Sequence, residues 1–196
     1  MIPARRVARL ALVLGVLGLV AGGEGYAAFS SSTENPGNSF AAGSVALSDN
    51  DAGAALLSLT GASPGDSTTR CITVTYDGSL PATVRLYGSV SGALASHLEL
   101  TVTRGTEAAP SFGSCSGFTA DSSDYVGAGS GVVYSGTLAS YPSSYASGIV
   151  DPVPGSPATW TTSEAHTYRF TVSLNDDPAA QGESATASFT WEARNR

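Results

Sequence analysis

The sequence has no lysine, one methionine, two cysteines and two histidines, and charged residues make up only 13% of it. Each shortage excludes something. All the basic residues are arginine, and beyond residue 27 they are scattered: Arg70, Arg85, Arg104, Arg169, Arg194 and Arg196. Nucleic acid or an anionic membrane surface calls for clustered positive charge, so neither is an expected partner. The formal net charge is −7; Arg5, Arg6, Arg9 and Glu24 give the first 27 residues +2, which leaves −9 on the remainder. Such an acidic balance keeps a surface soluble and self-repelling.

An apolar run of spanning length is also missing. Leu10–Ala21 has 12 residues, short of the roughly 18–20 that cross a bilayer. It follows three arginines and leads into small residues, the layout of a secretory signal peptide. Gly25 and Ala27 suit the −3 and −1 positions, which places the cut between Ala27 and Ala28. Membrane contact is then expected only through the uncleaved signal. Gly15, Gly18, Gly22 and Gly23 weaken the rival reading of a continuous anchoring helix. The C-terminal stretch Trp191–Arg196 shows no hydrophobic tail or sorting motif. The 169 residues after the cut suit one domain with a sizeable core.

In an exported chain the even pair Cys71 and Cys115 reads as one disulfide. It closes a loop of about 45 residues, worth about 4 kcal/mol in loop-closure entropy. A metal or redox pair is the alternative, but the cysteines are far apart and the histidines too few for metal-ligand spacing.

What is abundant is Ser, Thr, Gly, Ala and Val, the residues of strands and turns. Period-two windows occur at 69–76, 82–90, 97–103, 167–174 and 184–191. They place Ile72, Val74 and Tyr76, then Val84 and Leu86, then Leu98, Leu100 and Val102 on core faces. Shorter candidates lie at 44–48, 54–59, 131–138 and 158–162. Turn signals separate them, among them Ala62-Ser-Pro-Gly-Asp66 and Asp77-Gly-Ser-Leu-Pro81. Asn175–Gly182 reads as a loose hairpin joining the last two strands. Residues 105–157 are rich in Ser, Gly, Pro and Tyr and read as a loop-rich insertion with one or two short strands. The expected fold is an all-β antiparallel β-sandwich. Its divisions are a signal peptide at 1–27, an extended N-terminal segment at 28–43 and the sandwich domain at 44–196.

The catalytic search yields no site. Gly61-Ala-Ser-Pro-Gly65 fits the nucleophile-elbow pattern, but Pro64 has no N–H to donate to an oxyanion, and a strand follows instead of a helix. His97 and His166 form no H-E-x-x-H motif. Asp49-Asn-Asp51 and Asn175-Asp-Asp177 are oxygen-rich but lack the ligand count of a calcium loop. No cofactor is expected. Tyr134, Tyr141, Tyr145 and Trp160 form either an exposed glycan- or protein-binding surface or a satellite core under the insertion.

Several ordered blocks carry a family resemblance. Gly25-Tyr-Ala-Ala-Phe-Ser30 and Asn38-Ser-Phe-Ala-Ala-Gly-Ser-Val-Ala-Leu-Ser48 come first. Ser63-Pro-Gly-Asp-Ser-Thr-Thr-Arg70 and Tyr76-Asp-Gly-Ser-Leu-Pro-Ala-Thr-Val84 follow, then Gln181-Gly-Glu-Ser184 and Phe189-Thr-Trp-Glu-Ala193. Together they resemble the TasA/camelysin family of secreted bacterial proteins, which a dedicated signal peptidase releases. The resemblance implies a jelly-roll-like sandwich and a biofilm-matrix protein whose partner is itself. In such homopolymers the N-terminal segment of one subunit completes the sheet of the next by donor-strand exchange. Phe29 and Phe40 are then the anchor candidates. The two cysteines and the absence of lysine depart from the best-known fibre formers. The camelysin name also implies a secreted metalloendopeptidase as an alternative, and a monomeric adhesion or glycan-binding module is a third.

Overall fold

The computed structural model describes residues 44–57, 59, 62–152 and 159–195. All belong to the unit Ala41–Arg196. The signal segment 1–27, the junction Ala27/Ala28, the segment 28–43 and the anchor candidates Phe29 and Phe40 lie outside the described residues.

The fold is all-β. Among the described residues nine strands form in chain order: β1 Leu47–Asp49, β2 Ser67–Tyr76, β3 Thr83–Ser91, β4 Leu98–Glu107, β5 Phe118–Ala120, β6 Val132–Thr137, β7 Ile149–Val150, β8 Ala165–Leu174 and β9 Thr186–Arg194. The larger sheet runs β1-β2-β8-β4-β5, with β6 also paired to β4; the smaller runs β7-β3-β9. Every pairing is antiparallel.

Alternation decides which face is dry. In β2 the buried side chains include Ile72, Val74 and Tyr76; in β4, Leu98, Leu100 and Val102; in β8, Tyr168, Phe170, Val172 and Leu174. These face the smaller sheet, where Val84 and Leu86 of β3 are buried. Aromatic rings from β8 and β9 close the gap: Phe170–Phe189 at 4.5 Å, Tyr168–Trp191 at 5.3 Å and Phe170–Trp191 at 5.9 Å between centroids. On the opposite face of the larger sheet, threonine hydroxyls pair across β2 and β8, Thr73 with Thr167 and Thr69 with Thr171.

Several local expectations change. The 54–59 window forms no strand among its described residues. At 158–162 the ordered contact is a single bridge, Trp160 to Ala82. The insertion holds three short strands, β5 to β7, because its Gly and Ser residues admit tight returns onto β4 and β3. Gly131 shows why: its φ of 73° is left-handed, and a Cβ there would stand 2.5 Å from the Arg104 carbonyl oxygen. Asn175–Gly182 is not a hairpin loop. β8 and β9 belong to different sheets, so this segment crosses the sandwich. Alternation gives each strand a face but does not name its neighbour.

Candidate functional site

Cys71 of β2 and Cys115 of the insertion form a disulfide, with Cα atoms 5.1 Å apart. It fixes the 108–117 loop against the larger sheet, and the Gly113 N–H donates to the Cys71 carbonyl at 2.9 Å beside it.

A second anchor is ionic. Arg104 is buried at the far end of β4. Its Nε donates to Asp151 Oδ1 at 2.8 Å, and its NH1 meets Asp121. Asp151, 1% exposed, also accepts from the Tyr168 hydroxyl and from Trp160 Nε1. Burial pushes the Asp151 carboxyl above the usual carboxylate range, while Arg104 and these donors pull the other way. For Arg104, burial opposes the charge but Asp151 and Asp121 outweigh it, so the guanidinium is held charged. The network ties two insertion segments, at Asp121 and Asp151, and Trp160 beyond them to β4 and β8.

The chemically suggestive residues are engaged elsewhere. The Ser63 N–H donates to Asp66 Oδ2 at 2.8 Å and its carbonyl accepts from the Asp66 N–H at 2.9 Å, so Ser63 sits in an exposed β-turn. Asp49 and Asp51 accept from the backbone N–H groups of Asp51 and Gly53. Burial raises the Asp49 carboxyl; the Asp51 backbone N–H opposes this, and the Asp51 carboxylate adds to it. Asp177 accepts from the Ala179 N–H. Trp160 and Tyr141 are in the core, while Tyr134 and Tyr145 are half-buried.

A zinc centre does not fit these residues. His97 lies beside Asn175, whose N–H donates to its carbonyl; His166 starts β8 opposite Val74. They stand at opposite ends of a strand rising about 3.4 Å per residue, too far apart to share an ion. His166 Nε2 is already within 2.6 Å of Arg104 NH2 and 2.9 Å of Glu164 Oε1. Among the described residues no group of three His, Cys, Asp or Glu side chains is placed to hold a metal.

The large open feature is a cleft. A cavity of about 880 Å³ lies between the sheets, lined by Leu56, Leu57, Ile72, Val172, Leu174, Phe189 and Trp191. Ala185 and Ala187 of the β9 side also border it. A second hollow of about 200 Å³ lies where β1 meets β9, lined by Leu47, Val74 and Phe189 among others. Among the described residues β9 pairs only with β3, which leaves its other edge without a strand. Among the described residues Trp191 Nε1 is buried without a hydrogen-bond partner. An unmet buried donor costs about 1–3 kcal/mol, so an occupant supplying a carbonyl is favoured there. The sequence shows an alternating window at 184–191, which holds Phe189 and Trp191; no sequence signal shows that the space before them is incompletely filled.

Comparison with known families bears on the N-terminal half. A family model described as camelysin metallo-endopeptidase matches residues 5–91. Residues 5–91 carry the camelysin pattern. The match agrees with the TasA/camelysin resemblance of the sequence blocks and runs from the signal segment through β3. It contains neither histidine, since His97 and His166 both lie beyond it. The camelysin pattern therefore reaches this chain without histidine ligands of its own. No curated protein matches the chain.

Proposed function

We propose that this is a secreted structural protein of the bacterial envelope or biofilm matrix that assembles with copies of itself and performs no catalysis. The observation that carries this reading is the edge of β9 that, among the described residues, has no strand beside it and borders an apolar cleft. An extended segment that enters there gains main-chain hydrogen bonds along β9 and buries alternate side chains among Ile72, Phe189 and Trp191. The occupant is the 28–43 segment of a neighbouring subunit, with Phe29 and Phe40 as its anchors and the cut after Ala27 freeing its start. A contact of this head-to-tail kind does not close on itself and generates a filament. The disulfide, at home in oxidising compartments, and the camelysin pattern support an extracellular or cell-surface location.

Electron microscopy of the mature protein tests the proposal. Filaments are expected from residues 28–196 and none after deletion of 28–43. A mature protein that stays monomeric at all concentrations overturns it. The peptidase reading is tested separately by metal analysis. A stoichiometric zinc lost together with proteolysis in His97→Ala or His166→Ala would replace the structural reading with an enzymatic one.

A further inference from the structure

We propose that Leu56 and Leu57 act as a resident plug of the β9 cleft, and that their displacement limits the rate of assembly. This rests on the strand-exchange reading above and adds its regulation. Ala54-Ala-Leu-Leu57 is an apolar stretch that has no strand partner among the described residues. Leu56 and Leu57 are nevertheless half-buried, packed against the core and lining the same cavity as Phe189 and Trp191. Any strand that fills this space must move them or pack over them.

The backbone feeding the plug supplies an independent observation. Ala52 has φ 51° and Gly53 φ 81°, both left-handed. For glycine that is free of cost; for alanine it costs about 1–2 kcal/mol, because Cβ crowds the following carbonyl. The turn is closed by the Ala54 N–H donating to the Asp51 carbonyl at 2.9 Å, and Asp51 Oδ1 accepts from the Gly53 N–H at 2.6 Å. The plug is thus held by apolar contact on one side and by a strained turn on the other. A plug seated in this way is poised to leave.

Two substitutions in the mature full chain shift the balance in opposite directions. Leu57→Ala weakens the contact and is expected to shorten the lag of filament growth, read by light scattering, on the order of fivefold. Ala52→Gly relieves the turn and steadies the plug, so it is expected to lengthen the lag by a similar factor of about three to five. Opposite shifts support the plug. Equal lags in both variants and the parent, or shifts of the same sign, overturn it while leaving strand exchange standing, provided deletion of 28–43 still abolishes filaments. Filaments that survive that deletion, or a parent and variants that never assemble, overturn strand exchange and the plug with it. Ala52→Gly asks nothing of the core, so the test survives even if Leu57→Ala fails to fold.

Discussion

Phe170 of β8 and Phe189 of β9 meet across the two sheets with ring centroids 4.5 Å apart, yet one is fully buried and the other borders the cleft. The contact joins strands that share no hydrogen bonds. It is therefore a measure of how firmly the smaller sheet is seated.

The two rings are expected to differ in cost. Phe170→Ala removes a side chain with no exposure and should destabilise the protein by about 3–5 kcal/mol. Phe189→Ala should cost clearly less, since part of its surface already faces open space. Denaturant midpoints of the two variants check this, and equal losses would mean that the cleft is filled.

Arg104 and Asp151 form a buried pair, and removing one member strands the other. Arg104→Met should cost about 3–5 kcal/mol, because Asp151 is left buried without its cation. Asp151→Asn should be milder: its oxygen still accepts from Tyr168 or Trp160, and Arg104 still has Asp121. Urea unfolding at neutral pH distinguishes the two variants.

Glu164 has a defined acid response. Burial works to raise its carboxyl, but hydrogen bonds from His166 and from the Thr161 backbone outweigh this and hold it below the usual range. A carboxylate depressed in the folded state stabilises the protein above its unfolded value, near 4.5, and that contribution is lost as pH falls through the folded value. Glu164→Gln should therefore flatten the fall of stability on the acid side of pH 4.5 and leave its slope above pH 6 unchanged. Thermal unfolding across pH 2.5–7 reads the difference.

Removing the disulfide should act locally and globally. Cys71→Ala with Cys115→Ala is expected to cost about 2–5 kcal/mol. Hydrogen exchange should show protection lost first at the Gly113 N–H, whose acceptor is the Cys71 carbonyl.

The strands with clean alternation were legible before any coordinates. Ile72, Val74, Tyr76, Leu98, Leu100 and Val102 are all buried as their spacing requires. Two of the expectations that changed had ambiguous local chemistry. The 54–59 window is apolar enough for a strand, but the left-handed turn at Ala52 and Gly53 sends Leu56 and Leu57 to the cleft. The β8-to-β9 connection looked like a hairpin because both flanks alternate and Asn175-Asp-Asp-Pro178 is a turn sequence. Which sheet a strand joins is decided by packing at long range, and here the deciding partners are Leu86 and Trp191, distant in sequence and adjacent in register. The Arg104 network was invisible for the same reason: its members come from β4, β8 and three loops, and none stands in a motif. The cleft was equally hidden, because empty space is a property of packing and leaves no residue pattern.

The register of the smaller sheet has a kinetic consequence. Thr83 of β3 pairs with Arg194, and Ser91 with Thr186, so β3 must wait for a strand that lies far downstream. Contacts this distant in sequence form slowly, because a long loop must close before they stabilise anything. A chain synthesised from its N-terminus presents β2 and β3 early, but β3 gains its β9 partner only once residues 186–194 have followed. Every described strand of the larger sheet precedes β9, so that sheet can be complete while the smaller one still waits for its last member.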